Sequence, residues 1–528
     1  MIEGRVRALR SPPARGARFL ATGGPPLADI QRPAPVRALD WPADGARAFG
    51  NHALDIWTEL LERLHDDLPV VRNRSAAEVH DAMALEIPAD PMPIDDLVAH
   101  LRSIVFDESM YPGHPGFLAY ISGTGTVPGA AADLIAAALN QNAGGWRLSP
   151  AATEIEQHLM RWFARRFGMP KESMGYVVSG GAMTNLIGLT LARTRHAGWD
   201  VREEGMRAGP QLTVYASTEV HDTVDRAAQM LGIGAAGVRH IETDDRFRID
   251  VNALRAAIDA DLAAGYRPIA VVGAAGTTGT GAIDPLSDIA DICSEYGVWF
   301  HVDAAYGGGA ALTAPLNHLF EGIDRADSLG FDPHKWLYTP HAGACLLVSD
   351  PEVLVEAFAV DASYIVTDND QTGWGIDIYE FSPQFSRPFG ALKIWVSLLA
   401  HGWEAYEERI THDVDLARYL HRVVIEHPEL ESMGDPGLSI TCFRYVPEKL
   451  QGHVDAAGYL DLLNERLMFS LQLGGKVFPS NAIINGRFAL RSCVVNFRTE
   501  ADTMDELAAE TVRLGRILDA ELRPSHLR

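Results

Sequence analysis

Between about Ser149 and Ala400 short apolar runs alternate with amphipathic segments: QLTVYAS then VDRAAQMLG, PIAVVGAAG then PLSDIADICSEYG, and later VWFHVDAAYGGG and ACLLVSD. Strands that alternate with helices predict an α/β fold with a mostly parallel sheet covered on both faces. In such sheets ligands collect at the carboxyl ends of the strands. From Trp41 to Phe106 the pattern is helical, as in ALDIWTELLERLHDDL, and residues 114–129, HPGFLAYISGTGTVPG, read as a Gly, Pro and aromatic loop. After Gly402 further helices, the strands LSITCFRYV and FALRSCVVNFRT and a closing helix predict a small C-terminal α+β domain. The expected divisions are a leader over 1–40, an N-terminal helical segment over 41–126, a large domain over 127–402 and the small domain over 403–528. There are no internal repeats.

Composition narrows the function. A net charge of −25 argues against a broad nucleic-acid footprint, which needs clustered Lys and Arg. The four cysteines, Cys293, Cys345, Cys442 and Cys493, contain no CxxC pair, and no stretch is long and apolar enough to span a bilayer. A reducing cytoplasm and no membrane partner are therefore expected. The first forty residues are rich in Arg, Pro, Gly and Ala with few acids, which reads as a disordered leader in preference to a transit peptide.

The chemistry concentrates at the predicted strand ends. SLGFDPHKWLYTP, residues 328–340, sets Lys335 in a largely apolar stretch, and a buried ammonium needs either a partner or a use. VSGGAMTNLIGL, residues 178–189, passes from strand to helix through Gly180 and Gly181, a turn able to present backbone N–H groups to a phosphate. His221 follows the strand in VYASTEVHDTV, and GAAGTTGTGAIDP, residues 273–285, carries Thr277 and Thr278 as donors. Asp303 ends an apolar strand and is followed by Ala304 and Ala305, so a flat ligand could lie there against a carboxylate that wants a cation. Singly, each has an ordinary structural reading as a turn, a cap or an ion pair. A zinc site from His301, Asp303 and His334 lacks a closely spaced third ligand, so no metal is expected. Together the features suit pyridoxal phosphate, which asks for an amine, a carboxylate at its ring nitrogen, an aromatic and a small residue on its two faces, and phosphate-binding N–H groups.

The landmarks HPGFLAYISG, NQNAGGWRLSPAATEIE, SGGAMTN, HVDAAYGG, FDPHKWL and SRPFGALKIW, in that order, resemble the group II pyridoxal-phosphate-dependent amino acid decarboxylases, the family of the aromatic-L-amino-acid, glutamate and histidine enzymes. The resemblance implies fold type I with a central seven-stranded sheet, and a homodimer whose N-terminal helical segment embraces the partner and whose sites lie at the interface. It implies that Lys335 forms the imine, that Asp303 meets the pyridine nitrogen, and that His221 stacks on the ring with Ala305 opposite. Gly181 and Ala182 would offer phosphate N–H groups, Thr278 would sit near the ring edge, and His334 would contact cofactor or substrate. A tyrosine on the polar segment 360–387 would return a proton to Cα, with Tyr379 ahead of Tyr364. Four positions depart from the family pattern: Asp332 stands where an asparagine assists the phosphate, Pro388 and Gly390 stand where basic residues are frequent and leave Arg387 to carry the local charge alone, and His341 replaces an aromatic.

The expected reaction is decarboxylation of an L-amino acid to its amine and CO2. An aromatic substrate is favoured because the wall segment Phe117, Leu118, Tyr120 and Ile121 is apolar and offers no cation to a side-chain carboxylate. The rivals are decarboxylation coupled to oxidative deamination, transamination, decarboxylation of glutamate or aspartate, and a noncatalytic scaffold.

Overall fold

The computed structural model describes residues 39–65, 67–359 and 375–527, so the expected leader up to residue 38 and Tyr364 lie outside the described residues. The chain forms two compact units, residues up to 62 with 85–107, and residues 63–84 with 108 onward. In the first, the helices Ala43–Arg63 and Ile94–Phe106 are joined by an ion pair from Arg102 Nη1 to Glu59 Oε2 (2.6 Å).

The second unit carries two sheets. Its first strand, β1 (Phe117–Leu118), belongs to the smaller one. The next seven are β2 (Met174–Val178), β3 (Leu212–Ser217), β4 (Val238–Ile241), β5 (Arg267–Ala274), β6 (Trp299–Asp303), β7 (Ser328–Phe331) and β8 (Ala344–Val348). They form one sheet in the order β2-β8-β7-β6-β5-β3-β4, parallel except that β8 runs against both β2 and β7. This is the expected seven-stranded, mostly parallel sheet. Alternate side chains explain why both faces are covered. Val271, Phe300, Val302, Cys345 and Leu347 enter one core, while Ala270, Val272, Trp299, Leu346 and Val348 enter the other.

β9 (Leu430–Ser432), β10 (Ile440–Tyr445), β11 (Phe478–Ile484) and β12 (Arg487–Cys493) complete the smaller sheet in the order β1-β11-β12-β10-β9. The segment read as a loop at 114–129 thus contributes a strand, because Phe117 pairs in parallel with Phe478 and stacks on its ring at 5.8 Å. The same segment then starts the helix Val127–Leu139, where Thr126 Oγ1 accepts the N–H of Gly129. Both sheets lie within the one compact unit. Among the described residues no helix is long and apolar enough to cross a membrane.

Candidate active site

The C-terminal ends of β3, β5, β6 and β7 and the turn after β2 enclose a cavity of about 250 Å³. Gly181, Ala182, His221, Thr278, Asp303, Ala305 and Lys335 all line it, so residues spread over more than 150 positions converge as the strand-end argument requires. Glu219, Thr223, Gly276, Thr277 and Tyr306 share the lining.

Lys335 sits on a single helical turn, Pro333–Trp336, directly after β7. Its side chain is 19 % exposed, and Nζ lies 3.1 Å from Asp332 Oδ2. Asp332 is buried, and its Oδ2 also accepts the N–H of Gly181 at 3.3 Å while Oδ1 has no hydrogen-bond partner. The lysine therefore has an anionic neighbour, and the N–H expected for a phosphate is shared with a carboxylate. Gly181 fits closely, since a Cβ there would come 3.1 Å from both Ala305 Cβ and Asp332 Oδ2.

Asp303 is oriented from two sides. Oδ1 accepts the N–H of Ala305 at 3.1 Å, and Oδ2 accepts Asn185 Nδ2 at 2.9 Å. Asn185 projects from the first turns of the helix Gly181–His196, and its carbonyl oxygen meets His301 Nε2 at 2.9 Å. An amide oxygen only accepts, so Nε2 carries the hydrogen and Nδ1 takes one from Ser328 Oγ (2.8 Å), which itself accepts Trp299 Nε1 at 2.8 Å. Burial lowers His301 to about 4, so it serves this chain as a neutral ring. Asn185 Nδ2 also donates to Thr223 Oγ1 (2.9 Å), whose hydroxyl lies 3.1 Å from Nδ1 of the exposed His221.

In the loop after β5, Thr277 ties the backbone to itself: its hydroxyl accepts the N–H of Ala282 at 3.0 Å and meets Thr280 Oγ1 at 3.0 Å. The buried Asp284 closes the loop by accepting the N–H groups of Ala274 and Ile249, and burial pushes its carboxyl up to about 6. Thr278 is left facing the cavity.

Several expected residues are not brought to this lining. Phe117 is buried in a small core with Val70, Ala119 and Phe478, Tyr120 is largely exposed and Ile121 packs against the main core. Tyr306, Glu219 and Val220 contribute to the cavity lining. His334 lies beside the cavity, with Nδ1 2.7 Å from the carbonyl oxygen of Gly343, Nε2 3.6 Å from Asp332 Oδ2, and its titration lowered by burial. Tyr379 donates its hydroxyl to Asp377 Oδ2 at 3.2 Å and stacks on Phe385. Arg387 does not carry local charge for a ligand: it is buried against Glu156, Nη2 to Oε1 2.6 Å, and donates to the carbonyls of Ala143 and Val177. Among the described residues no group of three His, Cys, Asp or Glu could hold a metal ion.

Asn185, Thr223 and Ser328 escaped the sequence reading, since nothing local marks an amide or hydroxyl as a link. Asn185 stood inside SGGAMTN, about one helical turn past the glycines, and that spacing was its only signal. For pyridoxal phosphate the fit is direct: a glycine turn with backbone N–H groups at the cavity, an oriented carboxylate, a small floor at Ala305 and one lysine. Of the chain's five lysines the others are exposed (Lys171, Lys449) or paired with acids (Lys393 with Asp133, Lys476 with Glu506).

Comparison with known proteins agrees. The profile described as the pyridoxal-dependent decarboxylase conserved domain matches residues 77–446. An aromatic-L-amino-acid decarboxylase of Bacillus atrophaeus is 31 % identical over 466 residues, covering 88 % of this chain and 94 % of that one. A phenylacetaldehyde synthase of a Rosa hybrid cultivar is 29 % identical over 471 residues, 88 % and 92 %. The crystal structure of Oryza sativa TDC with PLP and tryptamine superposes with a TM-score of 0.84 at 27 % identity, covering 93 % of this chain and all (100 %) of that one.

Proposed function

Given that the chain belongs to the pyridoxal-dependent decarboxylase family, as a pyridoxal-phosphate-dependent carboxy-lyase, we propose that it converts an aromatic L-amino acid to the corresponding amine and CO2. The observation that carries the reading is that Lys335, Asp303, His221, Ala305 and Gly181 line a single cavity.

Lys335 Nζ would hold the cofactor's aldehyde carbon, Asp303 its ring nitrogen, and Gly181 and Ala182 its phosphate through backbone N–H groups. His221 and Ala305 would bound the two ring faces, with Thr278 at the edge. When bound, the cofactor supplies an electron sink for the pair released as the carboxylate leaves. Asn185 and the Ala305 N–H orient the Asp303 carboxylate, so its charge is aimed before any ligand arrives, as electrostatic preorganisation requires. The neutral ring of His301 adds a hydrogen bond without adding a positive charge behind Asp303. His334 keeps Nδ1 on the Gly343 carbonyl and leaves Nε2 facing Asp332 beside the cavity.

The aromatic substrate is supported by the printed names of the relatives and by Tyr306 and Val220 in the lining. A homodimer fits the exposure of Leu134, Ile135 and Leu139 on the helix Val127–Leu139, an apolar row that water does not favour. Four buried thiols suit a reducing cytoplasm. The aldehyde-forming route is the second reading, favoured by the match to a phenylacetaldehyde synthase. Incubating purified protein and pyridoxal phosphate with each of the twenty amino acids, and identifying products by mass, decides between them. Aromatic amines with equimolar CO2 are expected; aldehyde with ammonia and hydrogen peroxide supports the second reading, and turnover of glutamate or aspartate alone overturns the substrate class.

A further inference from the structure

The turn that presents Lys335 is gripped on its far side by one fully buried carboxylate. Asp413 lies on the helix Trp403–Glu426, remote in sequence from the cavity and absent from its lining. Its Oδ2 accepts both Trp336 Nε1 at 3.0 Å and Tyr338 OH at 2.6 Å, the residues one and three positions after the lysine. Trp336 also stacks on Tyr306 at 4.9 Å, and Tyr306 follows Ala305 in the cavity lining. Tyr338 has φ +51°, a conformation an L side chain adopts only when held.

The other carboxylate oxygen of Asp413 accepts Arg409 Nε at 3.0 Å, and Arg409 Nη2 donates to the carbonyl of Thr499 at 2.6 Å. Thr499 Oγ1 donates in turn to the carbonyl of Pro115 (2.7 Å). That segment returns beneath the lysine. Thr126 N–H donates to the carbonyl of Tyr338 at 2.9 Å, and Gly123 packs so closely that a Cβ there would fall 2.0 Å from the carbonyl oxygen of Lys335.

We propose that Asp413 is a positioning residue for the reaction, fixing the backbone of Lys335 through Trp336 and Tyr338 and tying it through Arg409 to the segment 115–126. A buried ion pair contributes little net stability over apolar packing of the same volume, so its value here lies in geometry: two donors flanking the lysine converge on one oxygen. This rests on the proposed function. Asp413→Asn is isosteric but exchanges one acceptor for a donor, so either the Arg409 arm or the aromatic arm is lost.

The test compares wild type, Asp413→Asn and Tyr338→Phe as holoenzymes, with Tyr338→Phe removing a single donor should the first variant not fold. Expected are a fall in kcat of about tenfold or more with KM changed by less than about threefold, and an altered visible circular-dichroism band of the bound cofactor, which reports its orientation. If both variants keep wild-type kcat and the wild-type band, whatever their melting temperatures, Asp413 is structural only and the inference is overturned. If wild type itself shows no visible band after loading with pyridoxal phosphate, the proposed function fails, a result distinct from the first.

Discussion

Asn185 donates to Asp303 Oδ2 across 2.9 Å, and its own carbonyl accepts from His301, so one amide connects a strand-end carboxylate to a fully buried ring. Removing it strands both partners. Asn185→Ala is expected to lower kcat more than KM because Asp303 loses an orienting donor, and to cost about 1–3 kcal/mol of stability because His301 Nε2 is left unpaired in the interior. Steady-state kinetics and denaturant unfolding of the same preparation check both; unchanged kcat would show that Asp303 needs no such support.

His301 makes stability depend on pH with a definite sign. Burial lowers its folded value from 6.5 to about 4, so the unfolded chain binds a proton more readily than the native one between those limits. Its contribution is therefore complete above pH 6.5 and is lost as pH falls towards 4, amounting to about 1 kcal/mol by pH 5.5. Relative to His301→Gln, wild type should lose that much between pH 7.5 and 5.5 in urea titrations. A difference that stays flat across this range contradicts a neutral His301.

The Arg387–Glu156 pair is structural. Both side chains are buried, and Glu156 Oε1 also accepts the N–H of Val177 on β2. Arg387→Leu leaves a carboxylate without its cation in a site whose burial already raises that carboxyl, and is expected to cost about 3–5 kcal/mol. Pyridoxal phosphate affinity of the folded fraction should stay near wild type; a selective loss of phosphate affinity would return Arg387 to the ligand.

Tyr379→Phe tests the proton donor. With its hydroxyl committed to Asp377 and its ring on Phe385, Tyr379 should be replaceable with amine yield changed by no more than about threefold. Diversion of product to aldehyde and peroxide in that variant would instead establish Tyr379 as the donor, acting from outside the lining of its own chain's cavity.

Much of this was legible in the residues. Continuous apolar runs ending in Asp303 and in FDPHK announced a parallel sheet with its chemistry at the strand ends, because buried parallel strands must be apolar on both faces. What stayed hidden is what tertiary packing decides. Phe117 and Tyr120 read as pocket wall because they are aromatic, and only the fold shows that Phe117 pairs in parallel with Phe478 within a small buried cluster. Arg387 read as carrying the local charge alone, and only the fold brings Glu156 to it across 231 positions. Asp413 carried no motif at all; its role depends on a helix meeting the lysine turn.

The most direct test of the central claim is to reduce the pyridoxal-phosphate-loaded protein with borohydride, digest it and locate the pyridoxyl group by mass spectrometry. The label is predicted on Lys335 alone among the five lysines, with a marked loss of labelling in Asp303→Ala. A label on Lys393, Lys476 or the exposed Lys171 and Lys449, or full labelling of a Lys335→Ala variant, would contradict the account.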